Sequence, residues 1–236
     1  MASISGVDPR VARLLRKFDE GVSVARAALV RVSDPDTADA VVPEARAEFE
    51  RLIREIPYAS REKDPFAASI IRPAQFLAYT IVLKRRGHTK QQTGTFIAAS
   101  REPVAARLGR IPDTLVRIAM RLALPVLLWR FKREASASQQ RDDPDEFVYE
   151  IVDEPGTAIA MNVKRCAVCT LFDRHDSMEV VPYICATDDQ LSDALGLGLR
   201  RTSTCALGGS HCDFRCQPGG TPRRLRDHYD LPLVSD

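Results

Sequence analysis

Aromatic residues make up only 6% of the 236-residue chain, and Trp129 is its single tryptophan. So few rings argue against a stacking platform for single-stranded nucleic acid. Long apolar runs are missing too. The most apolar stretch, Leu122 to Trp129, is flanked closely by Arg117, Arg121 and Arg130 and falls far short of the ~20 apolar residues that cross a bilayer. It reads as a buried core helix, and no membrane partner is expected. The first residues lack the basic segment and apolar core of a secretory leader, so a cytoplasmic location is expected. Nor is there any cysteine before Cys166; all six lie between Cys166 and Cys216. In a reducing compartment such a cluster points to catalysis or metal binding before structural disulfides.

Net charge is nearly absent, at +2, but it is unevenly spread. Up to Ala135 there are 24 Lys and Arg against 15 Asp and Glu, a net of +9; from Ser136 onward 10 stand against 17, a net of −7. The two halves should attract each other, or the basic half should meet an acidic partner. The basic residues are scattered through amphipathic segments and form no block, which favours a solvated helical surface over nucleic-acid binding. A 44% hydrophobic content is ample for a buried core.

The spacing of apolar residues divides the chain. Asp8-Pro9 starts a helix, and Val11, Leu14, Leu15, Phe18 and Val22 follow helical spacing. Ser33 to Asp36 breaks it, and Ala40 to Ile56 resumes the period. A third helix is predicted from Arg72-Pro73 to about Arg86, ended by Gly87. Thr89 caps the next, and Asp113 caps a last helix to about Phe131, with Pro125 expected to kink it. Residues 1–135 therefore form a helical region, and the small, polar stretch 136–146 a linker. Residues 147–236 form an α+β module. In it Phe147, Tyr149 and Ile151 pair as a hairpin with Ala158, Ala160 and Asn162 across Glu154-Pro155-Gly156-Thr157. Ala167 to His175 and Asp188 to Leu195 read as helices, Leu199 to Ala206 as extended, and Cys212 to Cys216 as a strand after the Gly208-Gly209 turn. The expected fold is α+β, a helical bundle packed on an antiparallel sheet.

Thiols matter most because the thiolate is both nucleophile and metal ligand. Cys166 ends a predicted strand, Cys185 precedes a helix that Asp188 and Asp189 open, and Cys212 follows a glycine turn between His211 and Asp213. Helix starts and glycine turns expose N–H groups that lower a thiol pKa or stabilise an oxyanion. These segments, Cys-Ala-Thr-Asp from Cys185, Arg-Thr-Ser-Thr from Arg201 and Gly-Gly-Ser-His-Cys-Asp-Phe-Arg from Gly208, resemble the L-2-amino-thiazoline-4-carboxylic acid hydrolase family over about seventy residues. The resemblance implies ring-opening hydrolysis of a five-membered thiazoline amino acid. It carries candidate catalytic roles onto Cys166, Cys185, Asp188, Cys212 and Asp213. Cys169, Cys205 and Cys216 lie outside the family pattern.

Independently of any family, opening a cyclic amidine needs a nucleophile, a base and an acid for the departing nitrogen. Cys185 leads as nucleophile, with Cys212 as the other candidate, or Asp188 activating water. Asp188 and Asp213 act as acid/base or orienting groups. Thr202 and Thr204 support a tetrahedral intermediate, and Arg201 or Arg215 provides the fork for a substrate carboxylate. His211 completes the substrate-binding set. The expected function is hydrolysis of a C–N bond in a small, cyclic, carboxylated substrate, with no cofactor, no nucleic-acid partner and self-association left open. Two other readings compete. Free cysteine is among the most buried residue types, so these thiols can be packing in a non-catalytic small-molecule sensor, and the module's closing segment also resembles vinyl-reductase-like ligand-binding domains. Alternatively, Cys166, Cys169, Cys212 and Cys216 form a structural zinc module, against which the last pair would lie roughly 13 Å apart along a strand. No metal is expected.

Overall fold

The computed structural model describes residues 8–60 and 66–225. The first three helices are α1 (Pro9–Asp19), α2 (Val22–Leu29) and α3 (Pro35–Leu52), followed by α4 (Ile71–Arg85), α5 (Lys90–Leu108) and α6 (Asp113–Ser138). Local chemistry sets several of their starts. The Asp8 carboxylate accepts from the Arg10 N–H, and Asp34 accepts from both the N–H and the hydroxyl of Thr37. Thr89 and Gln92 form a reciprocal capping box on α5. Gly87, at φ +80°, closes α4, a backbone geometry that costs glycine nothing. The helical period expected to run through Val22 is interrupted at Glu20-Gly21, and α3 begins five residues before Ala40. The capping role expected of Asp113 concerns a side chain outside the described ones.

After α6 come the strands β1 (Val148–Val152) and β2 (Ile159–Arg165), then α7 (Ala167–Asp173) and α8 (Val181–Leu195). Two strands follow, β3 (Leu199–Arg200) and β4 (Cys212–Cys216). The sheet is antiparallel with order β1-β2-β4-β3. The fold is thus α+β, as expected, with the helical part and the sheet sharing one core. Leu14, Phe49, Leu77 and Phe96 of the helices and Tyr149, Val163, Phe172 and Cys212 of the module belong to the same buried cluster.

Three expectations fail. Leu122 to Trp129 is not a core segment: Leu122 is 75% exposed and Trp129 60%, because the half-buried side chains of α6 lie on its opposite face. Helix α8 begins at Val181, with Pro182 in its first turn, not at Asp188. The stretch after Arg200 is not a strand but a loop, with a single turn of 3-10 helix at Cys205–Leu207. No helix among the described residues is long and apolar enough to cross a membrane.

Candidate active site

A cavity of about 270 Å³ lies where α4, α5 and α8 meet the sheet. That is the size of a site for a small molecule. Its walls include the apolar rings of Phe66, Phe76, Phe147 and Phe214, three thiols (Cys166, Cys185, Cys212), one carboxylate (Asp188) and three guanidinia (Arg72, Arg101, Arg201).

Each thiol arrives on a different element. Cys166 is the N-cap of α7, directly after β2. Cys185 lies in the second turn of α8, so it cannot draw on the free N–H groups of a helix start. Cys212 opens β4 opposite Val163 of β2. Its sulfur accepts from the Cys205 N–H at 3.3 Å and lies 3.4 Å from the Thr204 hydroxyl. The same hydroxyl is 3.7 Å from the Cys185 sulfur.

These surroundings push the thiols apart. Hydrogen bonds from the Cys166 and Cys205 thiols, then from Thr204 and the Cys205 N–H, hold the Cys212 pKa far below its ordinary value despite burial. Donors that satisfy the charged form favour it. Cys166 and Cys205 are correspondingly raised, the first by its hydrogen bonds to Cys169 and Cys212, the second by its bond to Cys212. Cys185 is pushed up to about 11, chiefly by burial, with the charge of Arg201 opposing. Of the thiols that line the cavity, Cys212 is thus the one whose charged form its neighbours favour, and Cys185 one whose charged form burial disfavours.

Arg201 is fully buried. Its guanidinium donates from Nη1 to Asp188 Oδ2 at 2.8 Å and to the Cys185 carbonyl at 3.3 Å. It lies 4.4 Å from the centre of the Phe214 ring, within cation–π range. Burial alone would lower its pKa; Cys185, Asp188, Cys212 and Asp189 together outweigh that and raise it. Among the described residues, its Nε and Nη2 have no hydrogen-bond partner, and neither has the Nε of Arg101. Buried donors of this kind are costly to leave unpaired. The Asp188 side chain is 46% exposed because it faces the cavity; enclosure by the surrounding protein still raises its pKa, against the pull of Arg201 and Arg101.

The sequence-derived residues thus fall into two groups. Cys166, Cys185, Asp188, Arg201 and Cys212 line the cavity together. Thr204 stands just behind it, on the two sulfurs. Asp213 does not face it: its carboxylate accepts from the N–H and hydroxyl of Thr202 and from the Ser203 N–H, at 2.6 to 3.1 Å. Asp213 and Thr202 therefore fasten the loop that carries Arg201 and Thr204, and are positioning residues. Arg215 is engaged with Glu154 and Asn162, and the His211 ring with Ser210; neither lines the cavity. Asp188 and Asp189 open no helix, since α8 has already made two turns before them. Arg72 and Arg101 were not singled out in the sequence, where each is one arginine among many scattered ones.

A family model described as L-2-amino-thiazoline-4-carboxylic acid hydrolase matches residues 78–216, well over half of the chain. The chain belongs to this family. No curated protein and no solved structure matches it. The family takes its name from a hydrolase, and the matched segment of this ATC hydrolase family member contains Arg101 and all of the cysteine-bearing motifs, while Arg72 lies just before it. Of those motifs, Cys-Ala-Thr-Asp sits on α8 and contributes Cys185 and Asp188. The Arg-Thr-Ser-Thr loop contributes Arg201, and the closing segment contributes Cys212 at the head of β4. Among the described residues, no three His, Cys, Asp or Glu side chains are grouped to hold a metal ion, and Cys212 and Cys216 occupy opposite ends of β4.

Proposed function

We propose that the protein hydrolyses a C–N bond of a small cyclic amidine bearing a carboxylate, of the 2-amino-thiazoline-4-carboxylate kind, with Cys212 as nucleophile. One observation carries the reading: the sulfur of Cys212, held by the Cys205 N–H and beside the Thr204 hydroxyl, shares a cavity with the Arg201–Asp188 pair and with two further guanidinia, Arg72 and Arg101. The planar fork of a guanidinium suits a carboxylate. The three guanidinia of the cavity outnumber the Asp188 carboxylate and the Cys212 thiolate, leaving positive charge for an anionic substrate.

The Cys212 sulfur adds to the amidine carbon between ring nitrogen and ring sulfur, forming a C–S bond. The ring C–N bond then breaks, and Asp188, whose raised pKa suits it to carry a proton, protonates the departing nitrogen. Water adds to the same carbon, giving its proton to the Asp188 carboxylate. The carbon releases the Cys212 thiolate and leaves a thiocarbamate on the opened amino acid. Arg201 orients Asp188 and neutralises the substrate carboxylate. The apolar rings exclude other water, which strengthens both interactions.

The test is turnover of 2-amino-thiazoline-4-carboxylate by the parent, Cys212→Ala and Cys185→Ala. Turnover by the parent, its loss by several orders of magnitude in Cys212→Ala and its retention within about tenfold in Cys185→Ala are expected. Loss only in Cys185→Ala would move the nucleophile to α8. Tight binding of the acid without turnover by the parent would favour the sensor reading.

A further inference from the structure

The carboxylate of the proposed substrate has a fixed place relative to the chemistry. The carbon that carries it is bonded directly to the ring nitrogen that Asp188 protonates, so whatever holds the carboxylate stands beside Asp188. Neither arginine expected from the sequence supplies that fork. Arg215 is engaged with Glu154 and Asn162, outside the cavity. Arg201 meets Asp188 from behind: its Nη1 is taken by Asp188 Oδ2 and the Cys185 carbonyl, and its Nε and Nη2 are enclosed by protein. Enclosed nitrogens do not donate into the cavity, so Arg201 contributes its charge alone.

Helix α5 brings the missing group. Two close approaches fix how it lies along α8: a Cβ on Gly94 would meet the Tyr183 ring, and one on Gly109 would lie 3.9 Å from the Ala194 carbonyl oxygen. The two helices therefore run side by side in the same direction. Midway between these contacts Arg101 comes level with Asp188, and both line the cavity. Asp188 Oδ2 is already held by Arg201, and the neighbouring carboxylate on α5, Glu102, pairs with Arg31. Among the described residues, no hydrogen bond or ion pair engages the Arg101 guanidinium. The third guanidinium, Arg72, reaches towards the α1–α2 turn, where its Nη1 would lie 3.7 Å from a Cβ on Gly21. With Arg201 and Asp188 balancing each other, Arg72 and Arg101 leave a positive charge even when Cys212 is ionised, and one carboxylate balances it. We infer that Arg101 holds the substrate carboxylate, its fork setting the ring with the departing nitrogen at Asp188. The inference rests on the proposed reaction and names the residue that selects a carboxylated ring: an analogue without the carboxylate leaves this guanidinium uncompensated.

The experiment is titration calorimetry on the full chain with thiazolidine-4-carboxylate and with its carboxamide. This saturated ring has no amidine carbon, so Cys212 cannot open it and binding is read without turnover. The parent is expected to prefer the acid to the amide. Arg101→Gln is expected to weaken the acid by roughly tenfold to a hundredfold and to leave the amide within about twofold, because only the acid meets the fork. Should the circular dichroism spectrum show that Arg101→Gln does not fold, Arg101→Lys, which keeps the charge and loses the fork, is read in its place for the same selective loss. A parent without preference for the acid, a variant that binds the acid as the parent does, or equal weakening of acid and amide would each overturn the proposal. The two readings fail separately. Acid selectivity that depends on Arg101, without turnover of 2-amino-thiazoline-4-carboxylate, upholds Arg101 and overturns the hydrolase. Turnover with KM unchanged in Arg101→Gln upholds the hydrolase and overturns the role of Arg101.

Discussion

Cys212 and Cys185 reach the same Thr204 hydroxyl, yet their surroundings drive them in opposite directions: donors gather on the Cys212 sulfur, while burial dominates at Cys185. Cys212 holds the Cys205 N–H and the Thr204 hydroxyl and has other thiols beside it, while Cys185 has the shared hydroxyl alone among its charge-favouring hydrogen bonds. A second carboxylate behind the cavity shows the converse. Asp189 is buried and, among the described residues, accepts the Leu225 N–H at 3.1 Å on one oxygen and leaves the other unpaired. Burial raises its pKa to about 6. Because the folded value exceeds the unfolded one, the folded state takes up a proton first as pH falls, so this group costs stability above about pH 6, and that cost is relieved towards pH 4. About two pKa units correspond to roughly 2–3 kcal/mol. Asp189→Asn is therefore expected to raise Tm at pH 8 and to lose that advantage near pH 4. Equal melting differences at both pH values would contradict the assignment.

Among the elements, α5 and α8 make the contact that closes the cavity from the helical side. A Cβ on Gly94 would come within 2.3 Å of the Tyr183 ring, so the approach of the two helices depends on that glycine. Alanine is the better helix former by about 1 kcal/mol, but overpacking of this kind costs roughly 1–3 kcal/mol. Gly94→Ala is expected to lower Tm by a few degrees; a Tm at or above the parent's would mean that the helices are not held at this distance. The same two helices show what could be read beforehand. Thr89 announces α5 because a capping hydroxyl acts within three residues, and the β1–β2 hairpin was legible from its Pro-Gly turn and alternation for the same reason. The start of α8 was not legible: two adjacent aspartates resemble a helix opening, whereas the actual opening is an apolar turn around Pro182. That shift of seven residues moves Cys185 from a helix start into a helix, and with it the argument for its thiolate. Cys166, Cys185 and Cys212 were expected to converge with Asp188 or Asp213 because they read as lying at element ends; the three thiols and Asp188 do share the cavity, although Cys185 and Asp188 lie within α8. Arg72 and Arg101 were not foreseeable, because only the packing of α4 and α5 brings them to the cavity. The exposure of α6 was equally hidden, since apolar residues surround that helix and composition does not say which face the molecule itself covers.

At the scale of the whole molecule, the basic and acidic parts of the chain are joined more by their shared core than by charge. Contacts across them such as Lys84–Glu179 at 3.5 Å and Lys132–Asp153 at 3.5 Å are exposed, and exposed pairs contribute little. By contrast, Phe66, Phe76 and Arg101 of the helical part and Cys212, Phe214 and Arg201 of the module enclose one cavity. The helical part thus supplies one wall of the site and two of its three guanidinia. The account stands on covalent attack by Cys212 within that cavity. Its most direct test is to mix the full chain with excess 2-amino-thiazoline-4-carboxylate, quench with acid within the first turnovers, and map the peptides by mass. A mass increase equal to the substrate on the peptide carrying Cys212, absent after Cys212→Ala, is the expected result; turnover with the Cys212 peptide unmodified at every quench time, and undiminished in Cys212→Ala, would contradict it.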